Sequence, residues 1–388
     1  MFSKRTSWER HENELSRATG ELRASGRRIF DLARSNPTEC GFAYDEEGIR
    51  RALGRSGVAE YRPTALGQVS AREVVAEYYR ADHGVEIRCD NLVLTSGTSE
   101  GYSFLFRLLC NAGDEVLIPA PGYPLFDFLA DLCDVKLVRF PLVYDHGWQI
   151  DFAGLNAAAN ERTRAVIVVH PNNPTGHYVS AQEQKKLGEF CREKGIALIA
   201  DEVFLDFSLR DGEAARSFAS RGETLTFTLS GLSKICGMPQ MKLAWIAVSG
   251  SEAEKREALA RLEIIADAYL SMGTPVQLAA PALLEMRGAF QEQVIARVRR
   301  NLGELDRQLA GQTACSRLEC EGGWTAVLRV PALQTDEDLT IALLKERGVL
   351  VHPGHFYDFA MPGHIVMSLI VAEQGFAEGM RRVLAHFE

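Results

Sequence analysis

The stretch 165–204, AVIVVHPNNPTGHYVSAQEQKKLGEFCREKGIALIADEVF, holds two short apolar runs, "AVIVVH" and "IALIAD", on either side of a polar helical segment. Both runs are continuously apolar rather than alternating, so each reads as a strand covered on its two faces. Ser180 and Glu183 are spaced as a capping box that opens the helix between them. Strand, helix and strand in this order build a parallel sheet with helices packed on it. The same texture extends outward. "NLVLT", "EVLIP" and "VKLVRF" precede the stretch, "TLTFTL" and "LAWIAV" follow it, and Ser251 and Glu254 form a second capping box.

Beyond Thr274 the texture changes. A long helical stretch leads into "GGWTAVLRVP", a helix opened near Asp336, then "GVLVHPG", "HIVMSLIV" and a last helix. Near the amino end, Leu15, Ala18 and Leu22 recur at helical spacing within 7–24, and the turn-rich "NPTECGF" follows. The expected architecture is α/β: a three-layer large domain with a mainly parallel central sheet, plus a smaller α+β domain. The expected boundaries are an N-terminal arm over 1–44 that belongs with the small domain, a large domain over 45–274 and a small C-terminal domain over 275–388.

Composition narrows the function classes. The 388 residues suffice for two domains, and 46% hydrophobic with 24% charged residues is ordinary for a globular protein. The formal net charge of −9 disfavours nucleic acid or an anionic membrane as partner, because both require a basic face. The eight cysteines, Cys40, Cys89, Cys110, Cys133, Cys191, Cys236, Cys315 and Cys320, are scattered without a CxxC pair. No metal site is expected, and reduced thiols point to a cytoplasmic protein. The start, "MFSKRTSWERHENELSRATG", is too charged for a secretory signal, and no apolar run has the length to span a bilayer.

Ligands of open α/β sheets bind beyond the carboxyl ends of the strands. After "NLVLT" come Ser96, Gly97, Thr98 and Ser99 at a helix start, which reads as an anion cradle or, more blandly, as a plain N-cap. After "EVLIP" comes Tyr123 in a Pro-Gly turn, and after "AVIVVH" come Asn172 and Asn173 between prolines. Asp201 closes "IALIAD", where a structural ion pair is the ordinary fate of such a carboxylate. "SGLSKICGMPQMKLAW" then presents Lys234 among small residues, followed by Lys242. Neither GxGxxG nor GxxxxGK[ST] occurs, which disfavours a dinucleotide or P-loop site. Together, a cradle, an aromatic plate, an amide, a buried carboxylate and a guarded lysine match one ligand, pyridoxal 5'-phosphate.

The chain resembles a fold-type I pyridoxal-phosphate enzyme of the class I/II aminotransferase family. "YRPTALG", "SGTSEG", "PAPGYP", "HPNNPTG", "ADEVF", "SGLSK", "GMPQMKLAW", "EGGW" and "HPGHF" occur in the family's order across nearly the whole chain. The resemblance implies that Lys234 is the Schiff-base lysine and general base, and that Asp201 pairs with the pyridine nitrogen. It implies that Asn173 donates to the ring's phenolic oxygen and Tyr123 stacks on the ring. Ser96, Gly97 and Thr98 would hold the phosphate with Ser233 and Lys242, and 45–274 would be the cofactor-binding domain. Tyr61 would reach the phosphate of a second subunit, which implies a homodimer with shared sites. The implied reaction moves an amino group between an amine or amino acid donor and a keto acid or carbonyl acceptor.

Three positions depart from the family pattern. Phe204 stands where a tyrosine usually supports the phenolic oxygen, so the cofactor–lysine linkage is expected to titrate at higher pH. Lys242 replaces an arginine and gives up its bidentate fork. Val366, in "HIVMS", stands where the family's carboxylate-clamping arginine is expected. Either another cation takes that task, with Arg34 and Asn36 near "NPT", Arg62, His352 and His355 as candidates for the substrate side, or the substrate lacks an α-carboxylate there. The same motifs also suit a lyase, a decarboxylase or a racemase, because the bond that breaks depends on substrate orientation. A non-catalytic cofactor-binding sensor is the reading from another class.

Overall fold

A computed structural model describes residues 1–210, 216–220, 222, 224–270 and 272–388. After a two-residue strand β1 (Phe30–Asp31), eight strands build the main sheet: β2 (Leu92–Thr95), β3 (Glu115–Ala120), β4 (Lys136–Tyr144), β5 (Trp148–Ile150), β6 (Thr163–Val169), β7 (Ala197–Asp201), β8 (Thr226–Gly231) and β9 (Ala244–Ser249). Their spatial order is β2-β9-β8-β7-β6-β3-β4-β5. β8, β7, β6, β3 and β4 run parallel, whereas β9 is antiparallel to both β2 and β8, and β5 to β4. Two reversals return β2 to the direction of β8. The carboxyl ends of β2, β3, β6, β7 and β8 therefore open on one edge of the sheet.

Strand alternation divides the core into the two outer layers. Ala165, Ile167 and Val169 of β6 pack with Tyr102, Leu105, Phe106 and Leu262 from helices Thr98–Leu109 and Glu252–Ala268. Val166 and Val168 pack on the opposite face with Leu187, Phe190 and Cys191 of helix Ala181–Lys194. Both capping boxes form as the sequence indicates, and the latter helix ends at Gly195, whose φ of 65° favours glycine. β4 departs from the continuous burial expected of "VKLVRF". It lies one strand from the sheet edge, and Lys136 and Arg139 face outward.

The second sheet is antiparallel. Its strands are β10 (Ser316–Arg317) and β11 (Thr325–Arg329), then, beyond β12 (Val349–Leu350), β13 (His352–Pro353) and β14 (His364–Ser368), ordered β10-β11-β14-β13. β12 instead pairs with β1 in parallel, which ties the N-terminal segment to this sheet. Helices Arg287–Leu309 and Glu373–Leu384 cover it through Val294, Val298, Leu305, Phe376 and Met380. The N-terminal helix runs Glu14–Ala24 rather than from Ser7, because Asn13 caps it by accepting from Ser16 N at 2.7 Å. Helix Thr274–Glu285 packs by Ala279, Ala280 and Leu283 against Ala71, Val75 and Tyr79 of helix Val69–His83.

Candidate active site

The open edge of the main sheet and the small antiparallel sheet enclose a cavity of about 390 Å³. Its lining includes Ser96, Gly97, Thr98, Tyr123, Asn173, Asp201, Ser233, Lys234, Lys242 and Val366. Ser96, Gly97, Thr98, Tyr123, Asn173, Asp201, Ser233 and Lys234 meet here because each follows, or ends, a strand on the same edge, whereas Lys242 precedes β9 and Val366 comes from the small sheet.

Lys234 sits on a four-residue helix, Leu232–Ile235, that begins where β8 ends at Gly231. Its side chain lies over a pair of packed aromatic rings, with Nζ 5.6 Å from the Phe204 ring centre and 5.3 Å from that of Trp324. Enclosure lowers the ammonium's pKa below the ordinary lysine value, and the charge of Asp201 pulls the other way. A neutral amine is thus more accessible here than in water, which is what a nucleophile or proton acceptor requires.

Asp201 is the last residue of β7 and is buried. Its Oδ2 accepts from Tyr102 Oη at 2.9 Å and its Oδ1 from Val203 N at 3.1 Å. Burial pushes the carboxyl up to about 6, while those two hydrogen bonds and Lys234 restrain the rise. A carboxylate oriented in this way, without a permanent cation bonded to it, is suited to a protonated heterocycle.

Ser96, Gly97 and Thr98 link β2 to helix Thr98–Leu109, whose first turn leaves backbone N–H groups without helical partners. Ser96 N, just ahead of that turn, is already engaged, donating to Glu100 Oε2 at 2.7 Å. A Cβ on Gly97 would stand 3.3 Å from Lys242 Nζ, so the lysine reaches the cradle at close range because the position is bare. Lys242 itself holds φ 53°, a left-handed backbone unusual for a side-chain-bearing residue. Together the free backbone N–H groups and Lys242 form a cationic cradle.

Asn173 follows β6 and leaves Oδ1 buried without a partner. Its loop packs tightly on the small sheet. Glu321 N donates to Gly176 O at 3.2 Å, and Thr325 Oγ1 to Pro174 O at 2.9 Å. A Cβ on Gly176 would meet Cys320 Sγ and Gly322 O at 2.6 Å, so this contact requires glycine. Tyr123, 40% exposed, projects from the turn after β3 with its ring edge-on to Phe126. A cavity of this size with a cationic cradle, an asparagine amide at its wall, an exposed ring, a buried carboxylate and an enclosed amine fits pyridoxal phosphate.

Of the other positions singled out in the sequence, His352 lies in the lining, while Arg34, Asn36, Arg62, His355 and Tyr61 lie outside it. Arg34 faces Asp31 at 3.7 Å and Glu39 at 4.0 Å. Asn36 is engaged in its own turn, accepting from Thr38 Oγ1 at 2.8 Å and donating to Glu39 Oε1 at 3.0 Å. Arg62 pairs with Glu60 in solvent, His355 is exposed, and Tyr61 is 71% exposed. Val366 lines the cavity and is wholly buried. The lining also holds Tyr102, Trp324, His352, Tyr357 and Ser368. Two of these had a legible signal. Tyr102 follows Thr98 by one helical turn, and Ser368 follows Val366 by one strand repeat.

The sequence model described as "Aminotransferase class I and II" matches residues 43–374. A glutamate-pyruvate aminotransferase of Haemophilus influenzae is 26% identical over 88% of this chain and 86% of its own. An S-alkyl-thiohydroximate lyase of Arabidopsis thaliana is 32% identical over 60% of this chain and 50% of its own. A solved alanine aminotransferase of Pyrococcus furiosus superposes with a TM-score of 0.91, covering 100% of this chain and 99% of its own at 22% identity, which speaks for the fold.

Proposed function

The chain belongs to the class I and II aminotransferase family, and from that premise we propose how its residues divide the work. It is a pyridoxal-phosphate-dependent aminotransferase. Bound in the cavity, the cofactor supplies an aldehyde that combines with amines and a ring that draws electrons from the donor's Cα.

Lys234 Nζ would accept a proton from the donor's Cα, a task suited to an amine whose charged form is disfavoured by enclosure. Asp201, held by Tyr102 and Val203, would supply negative charge toward a ring nitrogen. Asn173 and Tyr123 would hold the ring, and Ser96, Gly97, Thr98, Ser233 and Lys242 would hold the phosphate. Phe204 and Trp324 give Lys234 an apolar flank on one side. The observation that carries this reading is the enclosure of Lys234 opposite a buried, hydrogen-bonded Asp201 in one cavity. Lys234→Ala is the test. Turnover with any amino donor should fall by at least about 10²–10⁴-fold, and steady-state activity kept near wild type would exclude the role.

Assembly as a homodimer with Tyr61 reaching the partner's phosphate belongs to the same proposal. A second cavity lined by Leu94, Glu100, Phe104, Tyr269 and Met272 meets the first at Ser96 and Lys242, and exposed Tyr61 suits such a recess. The arm over 1–44, the large domain over 45–274 and the small domain over 275–388 are proposed as the structural units. Arg34, Asn36, Arg62 and His355 would reach substrate only from the rim, after movement, or from a second subunit. No described helix is long and apolar enough to cross a membrane. A cytoplasmic location is proposed from the eight unpaired cysteines.

A further inference from the structure

The cavity wall contributed by the small sheet carries no permanent charge. β11 pairs with β14 in the register Thr325↔Ser368 and Val327↔Val366, and β13 sets His352 across from Val366. Cross-strand partners share a face, so Thr325, Val366, Ser368 and His352 point the same way, and all four line the cavity. Among the described lining residues the basic ones are Lys234, Lys242 and His352, and none is an arginine. Lys234 and Lys242 belong to the cofactor end, where the second cavity also opens; that second cavity is lined by no residue of the small sheet.

His352 is not a fixed cation. Its Nδ1 lies 2.9 Å from Tyr357 Oη, and burial lowers its pKa below the ordinary histidine value. The groups left to recognise a ligand are neutral. Ser368 Oγ and Trp324 Nε1 are buried without a hydrogen-bond partner, and both residues belong to the lining. Around them stand Val203, Phe204, Met238 and Val366. An anion brought to this wall would lose its water and find no counter-charge, whereas an uncharged carbonyl or an apolar group would not.

We propose that the preferred amino donor is a primary amine whose Cα carries no anionic group, with either an apolar substituent or a carboxamide-type carbonyl against the Trp324–Val366–Ser368 wall. The inference deepens the aminotransferase reading and rests on it. Ser368 Oγ and Trp324 Nε1 donate to the carbonyl when one is present, and Val366 packs on the hydrocarbon.

Matched donors test it. Holoenzyme is mixed with L-phenylalanine, L-phenylalaninamide or 2-phenylethylamine, and with the corresponding alanine series, while loss of the bound-cofactor absorbance band is followed. The better uncharged-headed donor should exceed its carboxylate counterpart by at least about tenfold in kcat/KM. Calorimetry with amine-free 3-phenylpropanamide and 3-phenylpropanoate should show the same order in binding. A carboxylate donor that matches or beats its amide and amine overturns the inference and leaves the aminotransferase reading intact. Failure of every donor to discharge a cofactor band that is plainly present overturns both. Val366→Arg should shift the carboxylate-to-carboxamide ratio at least about tenfold toward carboxylate. Should that variant not fold, Ser368→Ala should weaken the carboxamide donors alone, and an equal effect on both kinds counts against the wall.

Discussion

Tyr102 Oη donates to Asp201 Oδ2 at 2.9 Å, so a helix rooted at the anion cradle holds the carboxylate that ends the central strand β7. The contact makes Tyr102 a positioning residue. It joins the two ends of the cofactor site through protein atoms alone.

Tyr102→Phe removes one of the two hydrogen bonds that restrain the Asp201 carboxyl. A hydrogen bond to a charged group contributes about 1.5–3 kcal/mol, equivalent to a rise of roughly 1–2 pH units. The acid limb of the kcat/KM profile should move upward by about one unit and the plateau should fall about tenfold. A lower melting temperature with an unmoved profile would assign Tyr102 to packing only.

Asp201 also predicts a pH-dependent stability in the cofactor-free protein. Its folded pKa of about 6 lies above the unfolded value, so the native state binds the extra proton between the two. Stability from this group is present at low pH and lost as pH rises through about 6. The loss is on the order of 2–3 kcal/mol. Asp201→Asn apoprotein should therefore unfold at higher temperature than wild type at pH 7.5, and the gap should close below about pH 4. A gap that stays constant across that range would refute the assignment.

Lys242 approaches bare Gly97 from a left-handed backbone position and carries the cradle's charge. Lys242→Ala should weaken pyridoxal phosphate binding by roughly 10–100-fold, the equivalent of one charge-assisted hydrogen bond. Lys242→Arg should retain most of the affinity. Titration of apoprotein with cofactor, read by tryptophan fluorescence, checks both variants.

Phe204 faces Lys234 with a ring that has no hydroxyl. Phe204→Tyr should lower the pH at which the bound-cofactor absorbance band titrates by about one unit, as one added hydrogen bond would. An unshifted spectral titration would show that the hydroxyl does not reach the chromophore.

Much of this was legible along the chain. Runs such as "AVIVVH" and "IALIAD" read as doubly covered strands because their composition suits no other environment, and they are buried on both faces. The capping boxes at Ser180 and Ser251 form as read, since a cap depends on four consecutive residues. Lys234, Asp201, Asn173 and Tyr123 could be picked out because each sits at or just past the end of a strand, and strand direction brings such positions to one edge.

What the sequence by itself determined was therefore local or periodic: which segments are strands, where helices start, which residues follow strands, and that the parallel core carries them to a common edge. Only the tertiary structure decided which side chains meet across the cavity. That Tyr102 serves Asp201, that Trp324 flanks Lys234, and that His352 joins Val366 and Ser368 on one uncharged face all depend on contacts between segments distant in the chain. Such contacts follow from strand register and from how the two sheets pack, and neither leaves a mark in the spacing of residues along one chain.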